Sequence, residues 1–197
     1  MTDFPVDPLY AFVFAGLFSP GPNIILLTAS GARFGFRRTL PHVLGVAAGV
    51  GVTSGLTAFG LGALLQRLPA LELVLKLVAA GWILWMAWTL FNAARRQALS
   101  ESDRPFTFVE AVLFQWVNPK IWALAVAASA GFPGGLSPIG EAARMASAFS
   151  GINLFVCLFW TFAGSLLTFL LTTPRAFSLF NSAMAAALAL SAAMVFL

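Results

Sequence analysis

Two stretches of this sequence set backbone-breaking prolines beside polar side chains inside otherwise apolar runs. Ser19-Pro20-Gly21-Pro22-Asn23 interrupts the first run, and Asn118-Pro119-Lys120 interrupts the fourth. Each proline removes a backbone N–H and crowds the turn before it. Carbonyls are thereby freed and a new helix N-terminus opens within a hydrophobic segment. Freed carbonyls suit a cation, and a half-helix N-terminus suits an anion such as a carboxylate. Gly21 allows another backbone or a substrate to approach closely. A simple kink needs one proline, so Pro-Gly-Pro flanked by Ser and Asn points beyond a kink. Lys120 lies about a dozen residues from either end of its run. A lysine at that depth is costly and is read first as functional, pairing with a substrate carboxylate. The plainer reading is a lysine that caps carbonyls of a broken helix. Lys76 is seven residues inside the third run, shallow enough to snorkel, and its two readings balance. The expected substrate-binding set is Ser19, Pro20, Gly21, Pro22, Asn23, Lys76, Asn118, Pro119 and Lys120.

Other reactive groups are sparse. His42 is the single histidine and Cys157 the single cysteine, so neither a multi-histidine nor a cysteine-based metal site is expected, and no intramolecular disulfide. His42, at the start of the second run beside Pro41, reads as an interfacial structural histidine. Glu72 and Glu110 fall near run ends, and no Asp or Glu lies deep in any run. A buried carboxylate is therefore not on offer for proton coupling, which would fall to Lys120, Lys76, His42 or the substrate itself. Ser30 and His42 are conceivable as nucleophile and base of an intramembrane hydrolase. They sit on different runs with no deep acid to complete a triad, so no catalytic residue and no enzyme activity is expected.

The elements that must position these residues are membrane spans. Of 197 residues, 60% are hydrophobic and 9% charged, against roughly 25% charged in soluble domains, and the mean hydropathy is +0.91. Six apolar runs follow one another at about 8–32, 41–65, 69–94, 106–130, 145–171 and 177–197, each near the ~20 residues that cross a bilayer as a helix. They fill the chain, leaving one transmembrane domain over 1–197. The net charge of +4 is spread through short loops, without a basic face interleaved with aromatics. The basicity thus speaks for anionic lipid rather than nucleic acid. Phe4, Asp3 and Asp7 open the chain without a positive n-region, so no cleaved signal peptide is expected.

Arg33, Arg37, Arg38, Arg95, Arg96, Arg104 and Arg175 flank the odd-numbered connections, while Arg67 and Arg144 lie on the opposite side. The positive-inside rule then puts both termini outside the cytoplasm. The two halves, about 8–94 and 106–197, each open on a proline-broken span. A shift of 97 residues brings Pro22 onto Pro119, Asn23 onto Lys120 and Ile24 onto Ile121. Three spans per half make the halves opposite in orientation, and paired broken helices in inverted repeats mark a midplane binding site. In span 2, Gly45/Gly49 and Gly51/Gly55 are small-xxx-small pairs. They read as close packing within the bundle, with a homodimer face as second reading. Trp82, Trp85 and Trp88 read as lipid-facing or interfacial bulk.

With these residues in view, the chain resembles the LysE/RhtB family of bacterial amino-acid exporters over essentially its whole length. The resemblance is carried by Phe18-Ser19-Pro20-Gly21-Pro22-Asn23, by Ala29-Ser30-Gly31-Ala32-Arg33-Phe34-Gly35, by Gly45 and Gly49, and by Val117-Asn118-Pro119-Lys120. In span 3, Leu75-Lys76-Leu77-Val78-Ala79-Ala80-Gly81-Trp82 looks like the family's lysine-bearing stretch, although Ala80-Gly81-Trp82 departs from the usual Gly-Ala-x-Tyr-Leu. The resemblance implies proton-driven efflux of amino acids or related metabolites across the bacterial inner membrane, with no bound cofactor. The substrate itself is not legible. A non-transporting membrane subunit is the alternative.

Overall fold

The computed structural model describes residues 7–19, 21–61, 67–95, 104–167, 171 and 173–193, with the backbone alone at 69, 71, 72, 93–95 and 174. Among these residues the fold is helical: α1 (Pro8–Phe18), α2 (Pro22–Phe34), α3 (Phe36–Leu56), α4 (Pro69–Arg95), α5 (Phe108–Val117), α6 (Pro119–Gly131), α7 (Pro138–Leu167) and α8 (Pro174–Ala193). A π-helical turn at Thr57–Leu61 extends α3, with Gly60 at φ 122°. Four helices are long and apolar enough to cross a membrane: Phe36–Leu61, Leu73–Asn92, Pro138–Leu167 and Arg175–Ala193. Two more crossings form if each bent pair is one span. α1 and α2 meet at 59°, and α5 and α6 at 65°. These two bends fall at the two proline interruptions, where the first and fourth spans were expected to break, and counting each bent pair as one span gives the six expected.

The ends differ from expectation where local chemistry decides them. Span 2 starts at Phe36 rather than Pro41, because Gly35 at φ 81° reverses the chain in a single residue after α2. Pro41 then lies inside α3, exposed on its outer side. Span 5 starts at Pro138 rather than 145. Ser137 accepts the Gly140 N–H at 3.2 Å, and Pro138 occupies the first helical position, where its missing N–H costs nothing. α5 begins on a capping box: Thr107 Oγ1 accepts the Glu110 N–H, and Glu110 accepts the Thr107 N–H. Arg104 grips the same Glu110 through both oxygens, at 2.6 and 2.7 Å.

Two apolar clusters hold the bundle. One joins α1, α2, α3, α6 and α7 through Leu9, Val13, Leu27, Val46, Ala125 and Phe149. The other joins α2, α4, α5 and α8 through Ile25, Ile83, Phe114 and Leu188. Glycine sets how closely the helices cross. A Cβ on Gly45 or Gly49 would run into α5 at Phe108 and Val112, and one on Gly51 or Gly55 into α7 at Ser150, Ala146 and Ala142. The small-residue pairs of span 2 are thus spent on neighbours in the same chain. Trp85 and Trp88 point outward, and Trp82 meets Phe114 edge-on at 5.8 Å. At the end remote from Arg33 and Arg104, Arg144 of α7 binds Asp7 ahead of α1, Glu141, and the Phe132 carbonyl at the end of α6. One guanidinium thereby ties the outer ends of both bent spans to α7.

Candidate functional site

The two breaks face each other. Lys120, one residue into α6, donates from Nζ to the Ser19 carbonyl at 2.6 Å. A Cβ on Gly21 would lie 3.1 Å from that Nζ and from Cδ, so glycine leaves room for the lysine to cross the gap. Asn23 and Gln115 exchange two hydrogen bonds: Asn23 Nδ2 gives to Gln115 Oε1 at 2.8 Å, and Gln115 Nε2 gives to Asn23 Oδ1 at 3.1 Å. Asn118 Nδ2 gives to the same Gln115 Oε1 at 3.3 Å, and Gln115 Nε2 also reaches the Ala111 carbonyl at 3.0 Å. Gln115 is fully buried and Asn118 nearly so.

The sequence folds this way because each break supplies its own partial repair. Pro20, which lies outside the described residues, has no N–H to offer the Gly16 carbonyl, and the Ser19 hydroxyl takes that place at 2.7 Å. The Ser19 side chain is therefore turned back on α1, and what Ser19 offers the gap is its carbonyl. At the second break, the Trp122 indole donates to the Trp116 carbonyl at 2.9 Å. Neither new helix start is repaired. Gly21 caps α2 and Asn118 caps α6 without a side-chain hydrogen bond. Two positive helix ends thus open beside the Lys120 ammonium. Asn118 Oδ1 is buried and has no hydrogen-bond partner among the described residues. A buried acceptor left unmade costs about 1–3 kcal/mol, which favours a donor arriving there.

Of the expected set, the structure brings together Ser19, Gly21, Pro22, Asn23, Asn118, Pro119 and Lys120. Lys76 is half-buried on α4 and belongs neither to the Asn23–Gln115–Asn118 group nor to the Lys120–Ser19 bond. Gln115 was missed by the motif reading. Its signal was present: a lone amide inside Phe108–Val117, one turn ahead of Asn118. His42, read as an interfacial structural histidine, is 2% exposed within the bundle, with its ring 5.1 Å from that of Phe106. Gly35 starts α3 early enough to bury it.

Residues 14–197 fit the model of the LysE type translocator family. This chain belongs to that family. It is a multi-pass membrane transporter rather than an enzyme. It is 28% identical over 132 residues to a cysteine/O-acetylserine efflux protein of Klebsiella pneumoniae, covering 67% of each chain. It is 31% identical over 134 residues to a cysteine/O-acetylserine efflux protein of Salmonella choleraesuis, again covering 67% of each. With YahN, an uncharacterized membrane protein of Escherichia coli, it shares 28% over 121 residues. That match covers 58% of this chain and about half, 54%, of YahN. No solved structure matches it.

Within this translocator the amide group has a testable weight. Gln115→Leu keeps the volume but leaves Asn23 without either of its bonds to that side chain. It is expected to lower the initial transport rate at least tenfold, the equivalent of ~1.4 kcal/mol, at unchanged amounts of protein in the membrane. Rates equal to wild type at equal abundance would reduce Gln115 to a packing residue.

Proposed function

We propose that this chain exports small α-amino acids with uncharged side chains from the cytoplasm. Residues 1–197 act as one transporter domain made of two inverted halves, about 8–94 and 106–197, and the substrate binds between the two breaks. The observation that carries this reading is the Lys120 Nζ–Ser19 carbonyl bond, which bridges the breaks and can be exchanged for a substrate. A carboxylate takes over the ammonium of Lys120 and the uncapped starts of α2 and α6. The substrate ammonium takes the Ser19 carbonyl that Lys120 releases, and the idle Asn118 Oδ1. The acids with described side chains, Asp7, Glu110 and Glu141, lie at helix ends. A cationic side chain would therefore find no counter-charge at the breaks, and an uncharged one would need none. The names of the efflux relatives, cysteine and O-acetylserine, fall in this class.

The asymmetry of arginines between the two ends supports a bacterial inner-membrane orientation with both termini outside the cytoplasm. Coupling to the proton gradient is part of the same proposal. The test is efflux from proteoliposomes loaded with a panel of labelled amino acids, with and without an imposed pH gradient. Gradient-stimulated release of small neutral amino acids is expected. Release of none of them by folded protein would overturn the substrate class, and release indifferent to the gradient would overturn the coupling.

A further inference from the structure

A second polar opening lies outside the breaks, at the arginine-bearing end of the bundle. It is a cavity of about 100 Å³ between α2, α3, α4 and the segment ahead of α5. Ser30, Arg33 and His42 are among its polar lining residues, and Leu26, Met86 and Phe106 among its apolar ones. Ser30 and His42 are 7% and 2% exposed. The bonding of the polar groups is incomplete in an informative way. Thr39 Oγ1 gives its proton to the Gly35 carbonyl at 2.9 Å, so in the 3.2 Å contact between Ser30 and Thr39 the Ser30 hydroxyl is the donor. The lone pairs of Ser30 Oγ are left as acceptors. His42 Nδ1 is buried and has no hydrogen-bond partner among the described residues. Buried polar atoms in such a state call for a ligand or water.

The cavity is in register with the breaks. Leu26, Ala29, Ser30 and Arg33 line it at helical spacings of three and four. Asn23, in the amide group, is the next position of that same face toward the break. Ser30 lies seven residues beyond Asn23, a rise of ~10 Å. One stripe of α2 therefore runs from the arginine-bearing mouth to the Asn23–Gln115 pair. Phe114, fully buried beside Gln115, packs in the same cluster as α2 and α4.

We propose that this cavity is the loading site for the exported amino acid, occupied before the molecule reaches the breaks. The ammonium group meets Ser30 Oγ and His42 Nδ1. The carboxylate lies on the Arg33 side, and a short side chain rests on Leu26 and Met86. This inference rests on the exporter reading. A loading site holds ground state only, so its loss raises the half-saturating concentration without lowering the maximal rate.

The test uses His42→Gln and Ser30→Ala in inside-out and right-side-out membrane vesicles, with thermal unfolding confirming that each variant is folded. With the labelled amino acid presented to the arginine-bearing end, the half-saturating concentration is expected to rise about tenfold. The maximal rate stays within about twofold, and presentation to the opposite end gives wild-type values. Unchanged half-saturation in both folded variants would overturn the loading site and leave the exporter standing. Equal losses from both ends would mean that the two residues serve the fold alone. Wild-type protein that carries no amino acid of the panel would overturn the exporter reading and this site with it.

Discussion

Lys120→Met is expected to reduce transport at least a hundredfold while the protein still folds and inserts. Methionine keeps most of the apolar stem of lysine and ends one atom short of it, so most of the space beside Gly21 stays filled. What it removes is the ammonium. The Ser19 carbonyl then loses its donor, for about 1–3 kcal/mol, a cost that the ~5–15 kcal/mol of a typical domain absorbs. Transport loses more, because the carboxylate of the proposed substrate loses a charge-assisted partner. A hundredfold corresponds to ~2.8 kcal/mol. The check is the initial efflux rate per unit of folded protein, with Lys120→Arg alongside. Arginine keeps the charge but spreads it over a planar fork, so a partial loss is expected there. Unimpaired transport in the methionine variant would sink the role given to Lys120.

That prediction could be framed from the sequence, because a lysine and prolines within apolar runs are loud signals. The number and order of spans were equally legible, since hydropathy over ~20 residues is what a bilayer imposes. Helix ends were less legible. Gly35 and Ser137-Pro138 move two starts by five and seven residues through cap chemistry, and a hydropathy run does not respond to caps. Of the two readings of Lys120, the structure shows the bond that the plainer one describes, to a carbonyl of a broken helix. The proposed role needs that same bond to be exchangeable.

Partners across the fold were the illegible part. Nothing along the chain couples residue 23 to residue 115, 92 positions away. Only the antiparallel meeting of the two breaks does so. The Ser19 hydroxyl shows the converse. Its type suited a ligand, yet the nearest unsatisfied carbonyl, Gly16, was three residues away and claimed it. In the sequence, His42 and Ser30 are weighed as a pair and set apart because they sit on different spans. They share a cavity because the one-residue link at Gly35 folds α3 back along α2.

Gly164→Val is expected to be the most damaging single change to stability. α2 and α7 cross so closely that a Cβ on Gly164 would collide with the Thr28 carbonyl, and one on Gly31 with the Thr161 carbonyl. Both obstacles are backbone, so no side-chain rotation relieves them. Small residues are what permit such contact between membrane helices. Overpacking of this kind costs about 1–3 kcal/mol and at times more. Valine, with two methyls beyond Cβ, is expected at the upper end. On the scale of soluble domains of similar size, ~3 kcal/mol lowers the unfolding midpoint by roughly 6–12 °C. Transport should fall with it, because α2 carries Asn23, and pushing α2 off α7 draws Asn23 away from Gln115. Gly151 provides the control on the same helix. A Cβ there meets nothing within 4 Å, so Gly151→Ala gains helix propensity and should leave the midpoint unchanged or raise it. Thermal unfolding of both variants in the same detergent separates the cases. Equal midpoints would mean that α2 and α7 yield at their crossing, and the seating of Asn23 opposite Gln115 would then need a cause other than this glycine contact.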